Sequence, residues 1–399
     1  MKKRYGSLID GSWVKHKKTF DVINPFDNSK ILEVYDAEES GTLEAIKSSA
    51  NAFKKWKKTS AEERSNYLKK FHLLVLKNKK SIAKIITREC GKPLRESLVE
   101  VEYGASFIEW SANQCLRNCG KIFESPEQTK KMFYIKEPVG VVAAITPWNF
   151  PLAMVTRKVS AALAAGCCVV LKPSELTPIT ALALGELSVE AKFPRGIFNI
   201  VNGKPKVIGD ILSNNPTVKK ITFTGSTKVG KLLMKNSSKT IKNISLELGG
   251  NAPFIVFSDA NIDLAIEGLI NAKFRNAGQT CISANRIFLN KEIHEDFLIK
   301  LKNRLKKMRI GSGLKDCDIG PLISKQALEK VEDHVQDALN KGAKIEFGGK
   351  LHKPNSLLFE PTILTSIKQN MLVFKNENFS PIVPILIFEN DKEVVEMAN

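Results

Sequence analysis

Val139-Gly-Val-Val-Ala-Ala-Ile145 is a run of small and β-branched residues that leads directly into Thr146-Pro-Trp-Asn-Phe-Pro151. A short continuous apolar run closed by two prolines reads as a strand buried on both faces, with a turn at its carboxyl end. Ala153 to Ala165 follows as a small-residue helix that stops at Gly166, and Cys167-Cys-Val-Val-Leu171 restores the strand pattern. Lys172-Pro-Ser-Glu175 breaks it again before a helix from Pro178 to Ala191. Phe198-Asn-Ile-Val201 and Lys220-Ile-Thr-Phe-Thr224 add two more strands. Strands alternating with helices in this way predict a parallel α/β architecture. In such a sheet ligands bind beyond the carboxyl ends of the strands, so Trp148, Asn149, Lys172, Glu175 and Gly225 fall on one rim.

Upstream, the chain reads as a short β region followed by amphipathic helices. Leu43 to Lys57 and Ala61 to Lys77 carry apolar residues at three-and-four spacing, with Thr59 and Ser60 offering a cap between them. Ile82 to Cys90 and Leu94 to Trp110 continue the helical pattern until Asn118-Cys-Gly120 punctuates it. Between Lys121 and Glu137, Phe123, Phe133 and Tyr134 stand in extended-looking context, which predicts a protruding hairpin.

Downstream lie three stretches with chemical content. Thr224-Gly-Ser-Thr-Lys-Val-Gly230 follows a strand and opens a helix, a place where backbone N–H groups and the helix dipole favour a phosphate. Taken alone it is more often a tight turn. Joined to Lys172 and Glu175 it becomes a dinucleotide cleft, because a carboxylate accepts hydrogen bonds from ribose hydroxyls. The same carboxylate would repel a 2′-phosphate, which favours NAD over NADP. Ser245-Leu-Glu-Leu-Gly-Gly-Asn-Ala-Pro253 then places Glu247 before two glycines, either as an ordinary strand-end acid or as a group able to take a proton from water. Finally, Phe254 to Phe257 reads as a strand, Ile262 to Phe274 as a helix, and Gly278-Gln-Thr280 interrupts the apolar pattern before Cys281. With Arg286 to Asn290 as the next strand, Cys281 sits where a helix hands over to a loop, an exposed position for a thiol. Arg275, six positions back, is a cation that would favour the thiolate. A free cysteine is also commonly a small buried hydrophobe, and that reading stands beside the nucleophilic one.

Composition narrows the function classes. The chain has 399 residues and 43% hydrophobic content, enough for two or more domains with real cores. Its first ten residues hold no signal-peptide core and no later run approaches a spanning helix, so the chain is read as cytoplasmic with no membrane partner. Seven cysteines without metal-ligand spacing imply reduced thiols, no disulfide frame and no metal. The net charge of +19 comes mostly from dispersed lysine pairs such as Lys54-Lys55 and Lys306-Lys307, a solvated surface rather than a specific nucleic-acid site.

Five motifs together carry a resemblance. Thr146-Pro-Trp-Asn-Phe-Pro151, Lys172-Pro-Ser-Glu175, Phe223-Thr-Gly-Ser226, Leu246-Glu-Leu-Gly-Gly250 and Gly278-Gln-Thr-Cys281 occur in the order and approximate spacing of the aldehyde dehydrogenase superfamily. Glu247 to Phe257 and Lys273 to Cys281 are most similar to its succinate-semialdehyde dehydrogenase branch. The resemblance implies two Rossmann-type parallel α/β domains and an oligomerisation hairpin. Residues 1–117 and 138–247 would bind the dinucleotide, 118–137 would form the hairpin, and 248–399 would form the catalytic domain. It implies Cys281 as nucleophile, Asn149 as oxyanion donor and Glu247 as the base that activates water. It places Lys172 and Glu175 at the adenosine ribose and Ser226 at the pyrophosphate, with Ser174, Gly225 and Gly230 among the cofactor-binding residues. Thr146, Trp148, Leu248, Glu377 and Phe379 are carried over as further cofactor residues, with Glu377 at the nicotinamide ribose. Arg157 and Arg275 match the pair that clamps the distal carboxylate of a small-molecule aldehyde, for which paired guanidinium groups are suited. NAD is the expected cofactor on Glu175, with NADP possible.

Three departures accompany the resemblance. Ser283 stands where some members of the branch carry a second cysteine, so no thiol redox switch is expected. The family's Glu-x-Phe-Gly-Pro is Glu377-Asn-Phe-Ser-Pro381, which puts backbone strain at Ser380 if the glycine served a positive φ. The chain stops at Glu396-Met-Ala-Asn399, inside a helix that follows the strand Ile382 to Phe388, whereas the family continues. That end implies an incomplete catalytic domain, a homo-oligomer only if the further strands are dispensable, and, as a second reading, an impaired remnant acting at most as a binding partner.

Overall fold

The computed structural model describes residues 6–399; the first five residues, which open the stretch read as lacking a signal peptide, lie outside the described residues. The chain divides into two compact units, the first comprising Met1–Val22, Lys30–Ile86 and Leu98–Leu248, the second Ile23–Ser29, Thr87–Ser97 and Gly249–Asn399. Among the described residues, the first is built on a seven-stranded sheet and the second on a five-stranded one.

In the first unit the strand order is Asn243–Glu247, Val218–Thr224, Val141–Ile145, Cys168–Lys172, Phe198–Ile200, Ser7–Ile9 and Ser12–Val14. The first five run parallel. Their central members are buried on both faces, as the unbroken apolar runs require, and Val141, Ala143, Val170, Ile221 and Phe223 form one core cluster. Each large aliphatic side chain buried there contributes roughly 1.5–3 kcal/mol. The order of the strands reverses between Val141–Ile145 and Val218–Thr224, so the crevice beyond their carboxyl ends is the topological switch point of the sheet. The sheet is not parallel throughout. Ser7–Ile9 joins it antiparallel to Phe198–Ile200 through Leu8 and Ile200, and then turns back through Ser12–Val14.

The helices of this unit follow the sequence reading with shifted ends. Glu38–Trp56 begins earlier than its apolar spacing suggested, while Ala61–Lys77 starts where Ser60 accepts the Glu63 N–H. Leu94–Cys115 runs more than a turn beyond Trp110. Ala153–Ala164 ends at Gly166, whose φ of +83° is a left-handed stop. Lys121–Glu124 and Lys131–Tyr134 form an antiparallel hairpin with every strand residue exposed.

The second unit orders Pro253–Val256, Arg286–Asn290, Ile382–Phe388, Thr362–Thr365 and Lys344–Phe347, parallel except for the last pair. The helix Ile262–Phe274 is capped by Asn261, which accepts the Leu264 N–H, and packs Ile266, Leu269 and Ile270 into the core beneath the sheet. Two upstream segments belong to this unit because of close backbone packing around Gly91. A Cβ there would lie 2.6 Å from the Pro321 ring and 3.0 Å from the Pro25 ring. Among the described residues no helix is long and apolar enough to cross a membrane.

Candidate functional site

The switch point of the first unit gathers most of the rim residues read from the sequence. Ile145 pairs with both Lys172 and Phe223, and Thr224 pairs with Glu247, so these strands end at one level. Thr146, Trp148 and Asn149 leave the Val141–Ile145 strand at that level, with Thr146 donating its N–H to the Lys172 carbonyl at 3.1 Å. Lys172 is buried and pairs with Glu175 at 2.8 Å, leaving Glu175 partly exposed. Burial depresses the Lys172 pKa while Glu175 pulls it back up. The buried ammonium thus fixes where the carboxylate points.

Gly225 and Ser226 connect the Val218–Thr224 strand to the helix Thr227–Ser237. The Ser226 hydroxyl caps that helix by accepting the Val229 N–H, and residues 226–229 are exposed. Gly230 lies so close to Leu248 that a Cβ would come within 2.6 Å of its side chain, which brings helix and strand end together. Glu247 is the exposed last residue of the edge strand. Lys158, from the helix Ala153–Ala164, is buried and donates to the Thr222 hydroxyl at 3.2 Å. Burial lowers its pKa to about 8, with the Glu247 charge acting in the opposite sense. Arg157, its neighbour, is exposed and stacks over the Phe107 ring at 4.5 Å.

In the second unit the thiol is held by an unusual backbone. After the helix Ile262–Phe274, Asn276, Ala277 and Gly278 adopt φ values of +53°, +55° and +77°. Two consecutive left-handed residues with a Cβ are costly and persist only where neighbours over-determine them. Several groups do so here. The Glu96 carboxylate accepts the Asn276 N–H at 2.8 Å. The Gln279 side chain donates to Asn276 O at 3.0 Å and Pro321 O at 3.3 Å and accepts the Ile323 N–H at 2.9 Å. Gly278 passes against the Ser380 carbonyl. Arg275 at one end of this turn and Cys281 beyond the other are each half-buried, so the thiol is less open than its loop position suggested. Cys115, Cys167, Cys168 and Cys317 are buried, which raises their thiol pKa values, to about 12 for Cys168 and about 11 for Cys317. They behave as packing residues, whereas Cys281 and Cys119 reach solvent.

Glu377, also in the second unit, is half-buried, and its Oε1 has no hydrogen-bond partner. Gly249 lies close beneath the carboxylate, where a Cβ would meet Oε2 at 2.4 Å and push the side chain aside. Burial raises its pKa against the pull of the Gly250 N–H and the charges of Lys330 and Lys273. The strain expected at Ser380 falls one residue earlier. Phe379 carries the positive φ, +52°, while Ser380 is fully buried and lies outside that region.

Set against known families, residues 13–399 match one throughout, the aldehyde dehydrogenase family. The chain belongs to it. It is 46% identical to the mitochondrial succinate-semialdehyde dehydrogenase of Oryza sativa subsp. japonica, covering 99% of this chain and 76% of that protein. To the succinate-semialdehyde dehydrogenase [NADP(+)] GabD of Escherichia coli K12 it is 44% identical, with 99% and 83% covered. The crystal structure of succinate-semialdehyde dehydrogenase from Burkholderia pseudomallei superposes with a TM-score of 0.98 at 44% identity, covering 99% of this chain and 83% of that one.

Membership makes the protein an aldehyde dehydrogenase, an enzyme that oxidises aldehydes with NAD(P). The rim of the first unit fits such a dinucleotide. Among the described residues, its buried Thr146 and Thr224 hydroxyls have no hydrogen-bond partner, and neither does either end of the buried Asn202 amide. Polar atoms so placed are costly unless a ligand or water completes them. Asn202 follows the strand Phe198–Ile200 on the same rim, so its position was available to the sequence reading, which passed it over. Lys158 was not legible, because nothing in a small-residue helix marks which lysine turns inward. Glu96 and Lys273 were missed for the same reason. Among the described residues no group of three or more His, Cys, Asp or Glu side chains could hold a metal.

Proposed function

We propose that this aldehyde dehydrogenase oxidises succinic semialdehyde, or a similar aldehyde bearing a distal carboxylate, to the corresponding acid. Cys281 attacks the aldehyde carbon as a thiolate, and the oxyanion that forms is held by the Asn149 side-chain amide and the Cys281 backbone N–H. When bound, the dinucleotide supplies the acceptor for the hydride that leaves this carbon. Glu247 then takes a proton from the water that cleaves the resulting thioester and frees Cys281. Arg275 and Arg157 hold the distal carboxylate, each guanidinium being able to offer two parallel hydrogen bonds.

Cofactor binding falls to the first unit and to Glu377. Lys172, Ser174 and Glu175 hold the adenosine ribose. Gly225, Ser226 and Gly230 let the pyrophosphate approach the helix start at Thr227. Thr146, Trp148, Leu248 and Phe379 complete the cradle, with Glu377 accepting from the nicotinamide ribose. Residues 1–117 and 138–247, apart from the segments 23–29 and 87–97 that belong to the second unit, form the dinucleotide-binding domain and 248–399 the catalytic domain. The hairpin at 118–137, with Ile122 and Phe133 exposed, is the surface for a second copy.

The observation that carries the substrate reading is the turn Asn276–Gly278. Hydrogen bonds to Asn276 and Gln279 fix the backbone between Arg275 and Cys281, which supports reading the two as parts of one site. Absorbance of the reduced cofactor tests it, with succinic semialdehyde and neutral aldehydes of similar length, each with NAD and NADP. Carboxylate-bearing aldehydes should give the higher kcat/KM, and Cys281→Ala should give none. Equal turnover of charged and neutral aldehydes rejects the substrate class.

A further inference from the structure

Glu96 enters neither the sequence motifs nor the reaction just described, yet it is the acid most tightly built into the nucleophile turn. It lies in the segment Thr87–Ser97 of the second unit, on the first turn of the helix Leu94–Cys115. Burial raises its pKa to about 7, opposed by the charge of Lys92, the Asn276 N–H, and the charges of Arg95 and Arg275. Its Oε2 accepts the Asn276 N–H at 2.8 Å, at the first of the left-handed residues. A left-handed start turns that N–H away from the preceding helix, and the carboxylate is what receives it. On the far side the Gln279 side chain locks the turn to Pro321 and Ile323. The Cys90 thiol reaches the Asn276 side-chain oxygen at 3.7 Å.

We propose that Glu96 is a positioning residue for substrate selection and thiol reactivity: through the Asn276 amide it holds the turn that sets where Arg275 and Cys281 stand. The inference rests on the reading of Cys281 as nucleophile and Arg275 as carboxylate clamp. Removing the acceptor takes away the hydrogen bond that the Asn276 N–H donates to Glu96, where the strained turn begins, and the turn relaxes toward right-handed backbone. Arg275 and Cys281 then move relative to each other while the helices and both sheets stay in place.

The test compares Glu96→Gln, which keeps an oxygen at the same reach, with Glu96→Ala, which removes it. Two readouts are taken on the full chain. One is KM for succinic semialdehyde against a neutral aldehyde, and the other is the rate of Cys281 alkylation by iodoacetamide, resolved by peptide mass spectrometry from Cys119. In Glu96→Ala, KM for the charged aldehyde should rise about tenfold more than for the neutral one, with alkylation changed severalfold, while Glu96→Gln stays within about twofold of wild type. Should Glu96→Ala not fold, Glu96→Asp withdraws the carboxylate by one methylene and takes its place. A lowered melting temperature with both readouts unchanged makes Glu96 purely structural and overturns the proposal. If Arg275→Ala affects both aldehydes alike, the clamp reading fails instead, and the alkylation rate, which needs no substrate, still decides the role of Glu96.

Discussion

Gly278 lies against the carbonyl of Ser380 so closely that a Cβ on it would sit 2.1 Å from the oxygen. The contact joins the Asn276–Gly278 turn to the segment that carries Glu377, both within the second unit. Gly278→Ala must therefore move a backbone carbonyl and also place a side chain at φ +77°. The expected loss is at least about 2 kcal/mol in urea unfolding, together with slower Cys281 alkylation. An unchanged urea midpoint would show that the Ser380 strand end yields freely.

Lys172 and Glu175 are expected to set the choice between NAD and NADP. The carboxylate, anchored at 2.8 Å by the buried ammonium, opposes a 2′-phosphate. Glu175→Gln removes that repulsion and leaves the Lys172 charge to face the phosphate. The ratio of kcat/KM for NADP to that for NAD should rise about tenfold or more. A ratio that does not change would place discrimination elsewhere on the rim, with Asn202 the next residue to vary.

Much of this arrangement was legible in the sequence because its physics is local. Strands buried on both faces must be continuously apolar, so Val139 to Ile145 and Cys167 to Leu171 announced themselves. Residues at or just past the ends of such strands, Asn149, Lys172 and Gly225, inherit rim positions from the topology alone. What stayed hidden depends on contacts between distant segments. Ala277 has no intrinsic reason to turn left-handed; it does so between Asn276, which Glu96 and Gln279 hold, and Gly278, which packs against the Ser380 carbonyl. Ser380 suggested strain by analogy with a glycine, whereas the positive φ is at Phe379. The three-residue strands at Ser7 and Ser12 are too short for any periodicity to speak.

Lys273 offers a prediction about stability and pH. Its side chain is fully buried and its Nζ has no hydrogen-bond partner. Burial lowers its pKa from 10.5 to about 7 against the attraction of Glu377. Between those two values the unfolded chain binds more protons than the folded one, so this group's contribution to stability rises with pH across that window. It is full above 10.5 and lost as pH falls through 7. Lys273→Met removes the buried amine and this dependence together. The variant should be more stable than the parent by about 1–3 kcal/mol at pH 6, with the margin shrinking toward pH 10. Urea midpoints at three pH values measure it, and a margin constant with pH would mean that Lys273 keeps its proton throughout.

Arg275 separates a substrate clamp from a structural cation. Its charge acts on the buried Glu96 carboxylate, so part of its purpose is to balance that acid. If that were all, Arg275→Ala would weaken the fold and slow every aldehyde equally. As a clamp it engages only substrates with a distal anion, and its loss should raise KM for succinic semialdehyde by about 10- to 100-fold while a neutral aldehyde of the same length changes by less than about threefold. Arg275→Lys discriminates further, because an ammonium keeps the charge near Glu96 but cannot offer two parallel hydrogen bonds. It should restore stability while leaving most of the KM defect. Equal recovery of both would assign Arg275 to Glu96 alone and leave the distal carboxylate to Arg157.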